Sequence, residues 1–279
     1  MGLLTIKAAV EQGAKLLEDA RVGVPRLTAE VLLCHALRRE RSYLYGHPEE
    51  ELTQVAWIHY GRYLHQRISG KPTQYITHRQ EFFGREFAVT PDVLIPRPET
   101  EHVVAAALEH LEAGDAVIDV GCGSGAIAVT LALEKQLNVF ASDISEAAIG
   151  VAGKNARALR ASVQLVRCDL LAAIAPRSMR MVVSNPPYVS LEEKAGLQRE
   201  VLEHEPHVAL FAGPRGTEIY ERLVGDAARV LAPGGWLVLE LGWKSLQGVR
   251  ALLNNEWTDI EAVSDLAGIP RVLRARYAA

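Results

Sequence analysis

The second half of the chain alternates short apolar runs with segments of helical periodicity, and this alternation constrains the fold more than any other feature. The pattern is typical of a parallel sheet, because parallel strands need long crossover connections that helices supply. The tail 271–277 alternates apolar and basic residues after Gly268 and Pro270, which predicts an additional edge strand. The predicted strands of the parallel sheet are 116–120, 138–142, 163–168, 181–184 and 236–241.

The N-terminal region has a different pattern, with apolar residues at helical spacing over 5–22, 28–38 and 53–68. Thr5 is the predicted N-cap of the first helix. Further on, aromatic and aliphatic residues surround Gly84 and Pro91, which predicts a short hairpin. We therefore expect three regions, namely a small helical bundle over 1–75, a β-hairpin connector over 76–96 and an α/β domain over 97–279.

Composition excludes several classes of protein. Hydrophobic residues at 49% and charged residues at 23% are close to globular averages, so the chain is not collagen-like or disordered. A net charge of -4, from 30 basic and 34 acidic residues, does not favour a direct nucleic-acid substrate. Three cysteines without a CxxC pair and nine histidines without ligand spacing predict no metal, and a reducing cytoplasm is expected. No apolar stretch is long enough to predict a membrane partner.

Three alternating glycines, Gly121, Gly123 and Gly125, follow the first predicted strand of the sheet and precede a predicted helix. Without Cβ atoms, such a loop turns tightly and lets a ligand approach the backbone at a helix N-terminus. Asp143 ends the next strand, about 20 residues further on, where a carboxylate can accept hydrogen bonds from ribose hydroxyls. Asp119 is expected either to receive a ligand ammonium or to anchor the loop. Both a dinucleotide and S-adenosylmethionine are compatible with these features.

The sequence Asn185-Pro186-Pro187-Tyr188 directly follows the apolar strand 181–184. Two prolines cannot continue a central strand, so this segment is predicted to be a rigid loop at the ligand-binding edge of the sheet. The Asn185 side-chain oxygen and the Pro186 carbonyl can accept hydrogen bonds from a planar NH₂ group, while Tyr188 stacks on its face. Two such acceptors orient a delocalised lone pair toward a sulfonium methyl group. The motif therefore indicates N-methylation, which binding of a nicotinamide dinucleotide does not explain.

Five segments carry a resemblance that extends over almost the whole chain. They are VLIPRPETE (93–101), VIDVGCGSG (117–125), SNPPYV (184–189), HEPHVALFAG (204–213) and DLAGIPRV (265–272). On these segments the chain resembles the bacterial release-factor glutamine methyltransferases, the HemK/PrmC family. DNA adenine N6-methyltransferases and ribosomal-protein glutamine methyltransferases also contain NPPY, so this motif alone does not identify the family. The PRPETE segment after a helical region favours the release-factor enzymes over these other methyltransferases.

The resemblance implies a fold, a cofactor and a substrate. The expected fold is α/β, a seven-stranded Rossmann-like S-adenosylmethionine-dependent methyltransferase domain preceded by a small all-α helical bundle. The expected reaction transfers a methyl group from S-adenosyl-L-methionine to the side-chain amide nitrogen, N5, of the glutamine in the GGQ motif. The expected partners are class I peptide chain release factors, which the helical bundle would dock, and the protein is expected to be a monomer.

The resemblance also implies roles for single residues. Asp143 is expected to bind the cofactor ribose, and Asp169 and Leu170 the adenine edge. Many relatives have an aromatic residue where Leu170 stands, so aliphatic packing is expected to replace stacking. The segment 96–101 is expected near the mouth of the active site, and the loop after Gly213 departs from the family pattern. The methionyl part is expected on Gly121, Cys122, Gly123, Ser124 and Gly125. The expected catalytic residues are Asn185, Pro186 and Tyr188. These three residues and Pro187 are expected to bind the substrate amide, and Asn185 is also expected to border the cofactor.

Three alternatives remain at this stage. The same chemistry could act on an adenine amino group in nucleic acid, which requires base flipping and a basic channel. It could also act on a glutamine of a ribosomal protein. A nucleoside-binding regulatory module without catalysis is the third alternative, and an intact NPPY motif argues against it.

Overall fold

Helices form the N-terminal part of the protein in this computed structural model, which describes residues 4–279. The chain divides into two compact units. The first unit contains the residues up to His78 together with Gln198–His204, and the second contains Arg79–Leu197 and Glu205–Ala279. The helices of the first unit before His78 are α1 (Ile6–Asp19), α2 (Pro25–Leu37), α3 (Arg41–Gly46), α4 (Gln54–Ile68) and α5 (Thr73–Thr77).

The helical unit is held together by one apolar core. The Thr5 side chain caps α1 by accepting a hydrogen bond from the Ala8 N–H, as the sequence predicts. Tyr60 of α4 is fully buried and packs so closely on Gly13 of α1 that a Cβ there would lie 2.0 Å from its hydroxyl oxygen. Glycine at position 13 therefore allows α1 and α4 to pack closely.

A two-stranded antiparallel hairpin opens the second unit, with β1 (Arg79–Phe82) and β2 (Arg85–Ala88). The turn residues Phe83 and Gly84 have φ values of 51° and 69°, which match the right-handed twist of a two-residue hairpin. Phe82 and Phe87 are buried and meet edge to face.

Seven strands form the sheet of the second unit, in the order β10-β11-β9-β6-β3-β4-β5. The last five strands in this order, from β9 to β5, pair in parallel, whereas β11 pairs antiparallel with both β9 and β10. The predicted parallel sheet is therefore present. The strands are β3 (Ala116–Val120), β4 (Asn138–Asp143), β5 (Val163–Arg167), β6 (Met179–Ser184), β9 (Leu231–Glu240), β10 (Trp257–Ser264) and β11 (Pro270–Tyr277).

The position predicted for the C-terminal tail is wrong. β11 lies inside the sheet between β9 and β10, and β10 is the edge strand. The sequence does not indicate β10, because its alternation is broken where Asp259, with φ 47°, interrupts the pairing register. Most of β10 is exposed or half-buried, as is typical of an edge strand, whereas β11 is largely buried.

Helices cover both faces of this sheet. On one face, Val117 of β3 packs in the same core as α6 (Glu101–Leu108), α7 (Ala126–Glu134) and α8 (Glu146–Leu159). On the other face, Ile118 and Val120 pack with α11 (Glu218–Val230) and α12 (Leu246–Arg250). Successive residues of β3 thus serve opposite cores, which explains why the strand is continuously apolar.

The remaining elements lie between β6 and α11. Along the chain they are β7 (Val189–Ser190), α9 (Arg199–His204), α10 (His207–Leu210) and β8 (Phe211–Gly213), and β7 pairs in parallel with β8. α9 belongs to the helical unit, where Glu200 pairs with Arg67 of α4 at 2.5 Å. None of the helices within residues 4–279 is long and apolar enough to cross a lipid bilayer.

The sheet topology determines where a ligand can bind. β4 and β5 lie on one side of β3, and the chain then returns to β6 on the other side. Such a reversal opens a crevice at the carboxyl ends of the strands. The glycine loop after β3, Asp143 at the end of β4 and Asn185 after β6 therefore meet at this edge.

Candidate active site

A cavity of about 340 Å³ opens at the reversal point. Asn185, from the strand on one side, lines the same cavity as Asp143, from the strand on the other. Gly125, Pro186 and Tyr188 lie outside its lining. The predicted site residues that line it are Gly121, Cys122, Gly123, Ser124, Asp143, Asp169, Leu170, Asn185 and Pro187.

One side of the cavity, which we name the glycine wall, consists of residues 121–124 with Asp143. Gly121 and Gly123 have φ values of 71° and 52°, and a Cβ on either would meet no atom within 4 Å. Their amide groups are already hydrogen-bonded inside the protein: Gly121 donates to the Ser142 carbonyl at 2.8 Å, and Gly123 donates to the Asp143 carboxylate at 2.9 Å. These N–H groups are therefore not available to bind a pyrophosphate, which disfavours a dinucleotide.

The third glycine and Asp119 support this wall from behind. Gly125 precedes α7 with φ 80°, and a Cβ there would lie 3.1 Å from the Ala152 Cβ of α8. Asp119 is buried, and its Oδ2 accepts a hydrogen bond from the Ala128 N–H in the first turn of α7. Asp119 thus anchors the helix after the loop. Burial raises the pKa of Asp119 to about 7, and its Oδ1 has no partner among the described residues.

Asp143 retains acceptor capacity toward the cavity. Its two carboxylate oxygens accept one backbone N–H each, from Gly123 and from Ser145. Each carboxylate oxygen has a second lone pair, so the group can still accept hydroxyl hydrogens. Ser145, and not Asp143, is the side-chain N-cap of α8.

Asp169 and Leu170 both line the cavity. The Asp169 carboxylate pairs with Arg222 of α11 at 2.6 Å, a contact that the sequence does not indicate. Leu170 has φ 47°, an unusual conformation for a leucine, and its carbonyl accepts a hydrogen bond from the Ser142 hydroxyl at 3.0 Å. Apolar Ile144 also lines the cavity, which thus contains two aliphatic side chains, Ile144 and Leu170, that could pack on an apolar ligand group.

The opposite side, which we name the asparagine wall, consists of Thr100, Asn185 and Pro187. Asn185 follows β6 directly, and its Nδ2 donates a hydrogen bond to the Thr100 Oγ1 at 3.1 Å. This bond turns the NH₂ end of the amide toward Thr100, so Oδ1 is the acceptor that the side chain can offer to a ligand. The buried Pro186 contributes its backbone to the rigid loop.

Tyr188 lies behind the asparagine wall and is half-buried. Its ring packs on Gly242, where a Cβ would lie 2.6 Å from the Tyr188 Cδ2. Its hydroxyl is 3.5 Å from the Glu240 Oε1. Burial raises the pKa of Tyr188 well above its ordinary value, so the phenol is neutral.

Glu240 is a buried carboxyl group that the sequence reasoning missed. It ends β9, whose residue Leu239 pairs in parallel with Ser184, so Glu240 reaches the level of Asn185. Its Oε2 accepts a hydrogen bond from the Thr100 hydroxyl at 2.6 Å. Burial raises the pKa of Glu240 to about 7. The sequence does contain a signal for Glu240, because it is the single charged residue in the apolar run WLVLELG. Burial of an unpaired charge is costly, so a glutamate there is expected to have hydrogen-bond partners.

Two ion pairs hold the segment that carries Thr100. Arg97 pairs with Glu205, a buried residue of the HEPHVALFAG motif, and Glu99 lies 3.8 Å from Arg271 of β11. Segments that are far apart in the sequence thus converge on residues 96–101, and Pro96 and Thr100 themselves line the cavity.

Cys122 is a buried residue of the glycine wall. Burial raises the pKa of its thiol well above the ordinary value. The neutral thiol is a poor nucleophile, so a packing role fits Cys122 better than covalent catalysis.

Comparisons with known proteins agree with this geometry. The family model of the PrmC N-terminal domain matches residues 8–77, and the model of the methyltransferase small domain matches residues 101–208. The release factor glutamine methyltransferase of Koribacter versatilis is 46% identical over 277 residues, covering 98% of this chain and 99% of its own length. The chain belongs to the release factor glutamine methyltransferase family.

Other members of the release factor glutamine methyltransferase family support the assignment. The relative from Nitratidesulfovibrio vulgaris is 39% identical and covers 98% of this chain and 95% of its own length. Among solved structures, a methyltransferase from Pyrococcus furiosus aligns with a TM-score of 0.54 at 18% identity. That alignment covers 71% of this chain and 91% of the other, and it shows the shared methyltransferase fold.

Proposed function

We propose that this protein transfers the methyl group of S-adenosyl-L-methionine to the side-chain amide nitrogen, N5, of the glutamine in the GGQ motif of class I peptide chain release factors. The observation that carries the proposal is the side chain of Asn185. Its Nδ2 is held by Thr100, and it lines the same cavity as the glycine wall. An acceptor for a planar NH₂ group thus stands at the edge of a nucleoside-sized pocket.

The residues of the glycine wall fit S-adenosylmethionine. A volume of about 340 Å³ lies within the range of small-molecule sites. Asp143 would accept the ribose hydroxyls, and Ile144 and Leu170 would pack on the adenine ring, with Asp169 at its edge. Residues 121–125 would lie under the methionyl part, where their closed backbone presents no free cluster of N–H groups for a phosphate. The bound cofactor supplies an electrophilic sulfonium methyl group.

The asparagine wall would orient the acceptor. An amide nitrogen is a poor nucleophile because its lone pair is delocalised into the carbonyl. Asn185 Oδ1 and the Pro186 carbonyl would accept the two N–H hydrogens of the glutamine amide, which fixes the plane of the NH₂ group and aims the nitrogen at the methyl donor. The N–C bond would form as the C–S bond breaks, S-adenosylhomocysteine would leave, and one N–H proton would be lost to solvent as or after the methyl group arrives. Tyr188 would pack beside the amide as a neutral phenol, and the rate would arise mainly from positioning.

The helical unit offers a surface for the protein substrate. Val55 and Ile58, one turn apart on α4, are 65% and 61% exposed. Adjacent exposed apolar side chains are typical of interaction sites. We propose that residues 1–75 form a docking domain, joined by the connector 76–96 to a methyltransferase domain over 97–279, in a monomeric cytoplasmic enzyme.

Mass spectrometry of a methylated release factor tests this function. Purified class I release factor is incubated with the protein and S-adenosylmethionine, beside a control factor whose GGQ glutamine is replaced by alanine. The expected result is one added methyl group on that glutamine and none on the control. No added mass, with cofactor binding intact, would contradict the proposal and favour a ribosomal-protein glutamine or an adenine amino group, which the same assay can test.

A further inference from the structure

A series of hydrogen bonds connects the asparagine wall to the buried carboxyl group of Glu240 behind it. It runs from the Glu240 carboxylate through the Thr100 hydroxyl to the Asn185 side-chain amide, with distances of 2.6 and 3.1 Å. Glu240 is 2% exposed and Thr100 is 4% exposed. The three residues come from three separate segments, so the tertiary fold, and not a local turn, brings them together.

The number of hydrogens on each group determines which group donates in each of these two hydrogen bonds. An ionised carboxylate only accepts hydrogen bonds, and a threonine hydroxyl has a single hydrogen to donate. With Glu240 ionised, that hydrogen points to Glu240, and the Thr100 oxygen presents a lone pair to Asn185. Only the NH₂ end of the Asn185 amide can then face Thr100, so the carbonyl end is left for the substrate.

We propose that Thr100 and Glu240 are positioning residues that determine which end of the Asn185 side-chain amide is offered to the substrate. The inference rests on the proposed function, because it matters only when the acceptor is an NH₂ group. If the Asn185 amide turned over, its own NH₂ group would face the NH₂ group of the glutamine, and two donors cannot bind each other.

The surroundings of Glu240 make the hydrogen bonds from Glu240 through Thr100 to Asn185 sensitive to pH. Burial is the main cause of its raised pKa of about 7, and Glu99 raises it further. Arg271 and the hydrogen bonds from Thr100 and Tyr188 act in the opposite direction. The backbone carbonyl of Glu240 accepts a hydrogen bond from Tyr220 of α11.

Protonation of Glu240 reverses the donors in these hydrogen bonds. A protonated Glu240 can donate to the Thr100 oxygen, and the Thr100 hydrogen is then free to turn toward Asn185. Asn185 would meet that hydrogen with its Oδ1, which is the wrong orientation for the substrate. We therefore expect methyl transfer to decline as the pH falls below about 7.

Two substitutions at position 100 separate positioning from packing. Thr100→Val keeps the shape of the side chain and removes the hydroxyl, whereas Thr100→Ser keeps the hydroxyl. We expect T100V to lower kcat by about 100-fold, the size of a small misplacement of a reacting group. T100S should restore most of that rate, and both variants should bind S-adenosylhomocysteine as the wild type does. An equal loss of kcat in both variants would overturn the inference.

A double-mutant cycle tests whether Thr100 acts through Asn185. If it does, T100V added to Asn185→Ala has no further effect on kcat, because the group being positioned is already gone. Additive losses would contradict the inference.

Glu240→Gln tests the carboxyl end of these hydrogen bonds. The substitution should lower kcat and abolish the decline of kcat below about pH 7. An acid limb like that of the wild type would also contradict the inference.

A measurement without substrate keeps this inference separate from the proposed function. The chain has five asparagines, so selective ¹⁵N labelling gives few side-chain amide signals, and the Asn185 signals are those lost in N185A. We expect them to shift between about pH 6 and about pH 8 in the wild type and in T100S, but not in T100V. An insensitive Asn185 amide would overturn the positioning role, whereas a wild-type enzyme that leaves release factor unmethylated would overturn the proposed function.

Discussion

The two walls of the cavity are built from different parts of the chain. The glycine wall is shaped by its backbone, because Gly121 and Gly123 have positive φ values and their N–H groups are hydrogen-bonded inside the protein. The asparagine wall is shaped by side chains, because Asn185 is hydrogen-bonded to Thr100 and Thr100 is hydrogen-bonded to Glu240. Cofactor binding should therefore depend on the absence of side chains at Gly121 and Gly123, whereas methyl transfer should depend on the side chains of Thr100, Asn185 and Glu240.

The largest expected effect comes from the asparagine wall. Asn185→Ala removes the side-chain acceptor, and we expect kcat to fall by about 10³-fold, as when one oriented polar group is lost from an active site. The dissociation constant of S-adenosylhomocysteine, measured by calorimetry, should stay within about threefold of the wild type. Asn254→Ala, at an exposed asparagine, is the matched control. Unchanged methyl transfer in N185A would contradict the catalytic assignment.

Each wall has one buried carboxyl group behind it, Asp119 behind the glycine wall and Glu240 behind the asparagine wall. Burial raises the pKa of both Asp119 and Glu240 to about 7. Because each folded-state pKa lies above the unfolded value, each group stabilises the fold at low pH, and this contribution is lost as the pH rises through about 7. Between about pH 5.5 and about pH 7.5 each group should lower the free energy of unfolding by about 2 kcal/mol.

Denaturant unfolding of Asp119→Asn and Glu240→Gln at those two pH values measures these contributions. Each variant should lose about 2 kcal/mol of the pH dependence seen in the wild type. Only E240Q should also change the pH dependence of kcat. If D119N changed the kcat profile in the same way, the two walls would not be functionally separate.

A smaller effect is expected at the glycine wall. Gly121→Ala places a side chain in a left-handed conformation, at a cost of about 1 kcal/mol, and also directs a methyl group into open space beside the cofactor site. We expect the dissociation constant of S-adenosylhomocysteine to rise by about tenfold. Gly84→Ala is the control, because Gly84 has a similar φ of 69° with equal open space but lies in the hairpin turn. Equal cofactor affinity in G121A and the wild type would count against the glycine wall.

The smallest effect is expected outside both walls. Substitution of Val55 and Ile58 together by serine should raise the KM for the release factor by about fivefold, since a peripheral apolar contact contributes about 1 kcal/mol. The value of kcat should not change, because neither wall is altered. Val24→Ser, at a valine that is 69% exposed on another part of the helical unit, is the control. An unchanged KM in the double variant would exclude this surface from docking.

The glycine wall could be anticipated from local sequence. β3 is an apolar run followed by alternating glycines, and Asp143 ends the next apolar run. Local patterns of this kind specify both the strand and the turn that follows it. The asparagine wall was anticipated only in part, because NPPY is a local motif whereas the contacts of Thr100 and Glu240 join residues 140 positions apart.

The same distinction explains the error at the C-terminal edge. The alternation of β11 indicates a strand, but which strands flank it depends on β10, whose own pattern is interrupted at Asp259. Similarly, nothing in the sequence of α9 indicates that it belongs to the helical unit, since only tertiary contacts such as that between Arg67 and Glu200 define this membership.

The most direct test of the account is a crystal structure of the protein with S-adenosylhomocysteine and a peptide that contains the GGQ motif. We expect the glutamine side-chain nitrogen to lie within about 3 Å of both Asn185 Oδ1 and the Pro186 carbonyl oxygen, with Asn185 Nδ2 still bonded to Thr100. A glutamine amide bound elsewhere, or an Asn185 amide turned with its nitrogen toward the substrate, would contradict it.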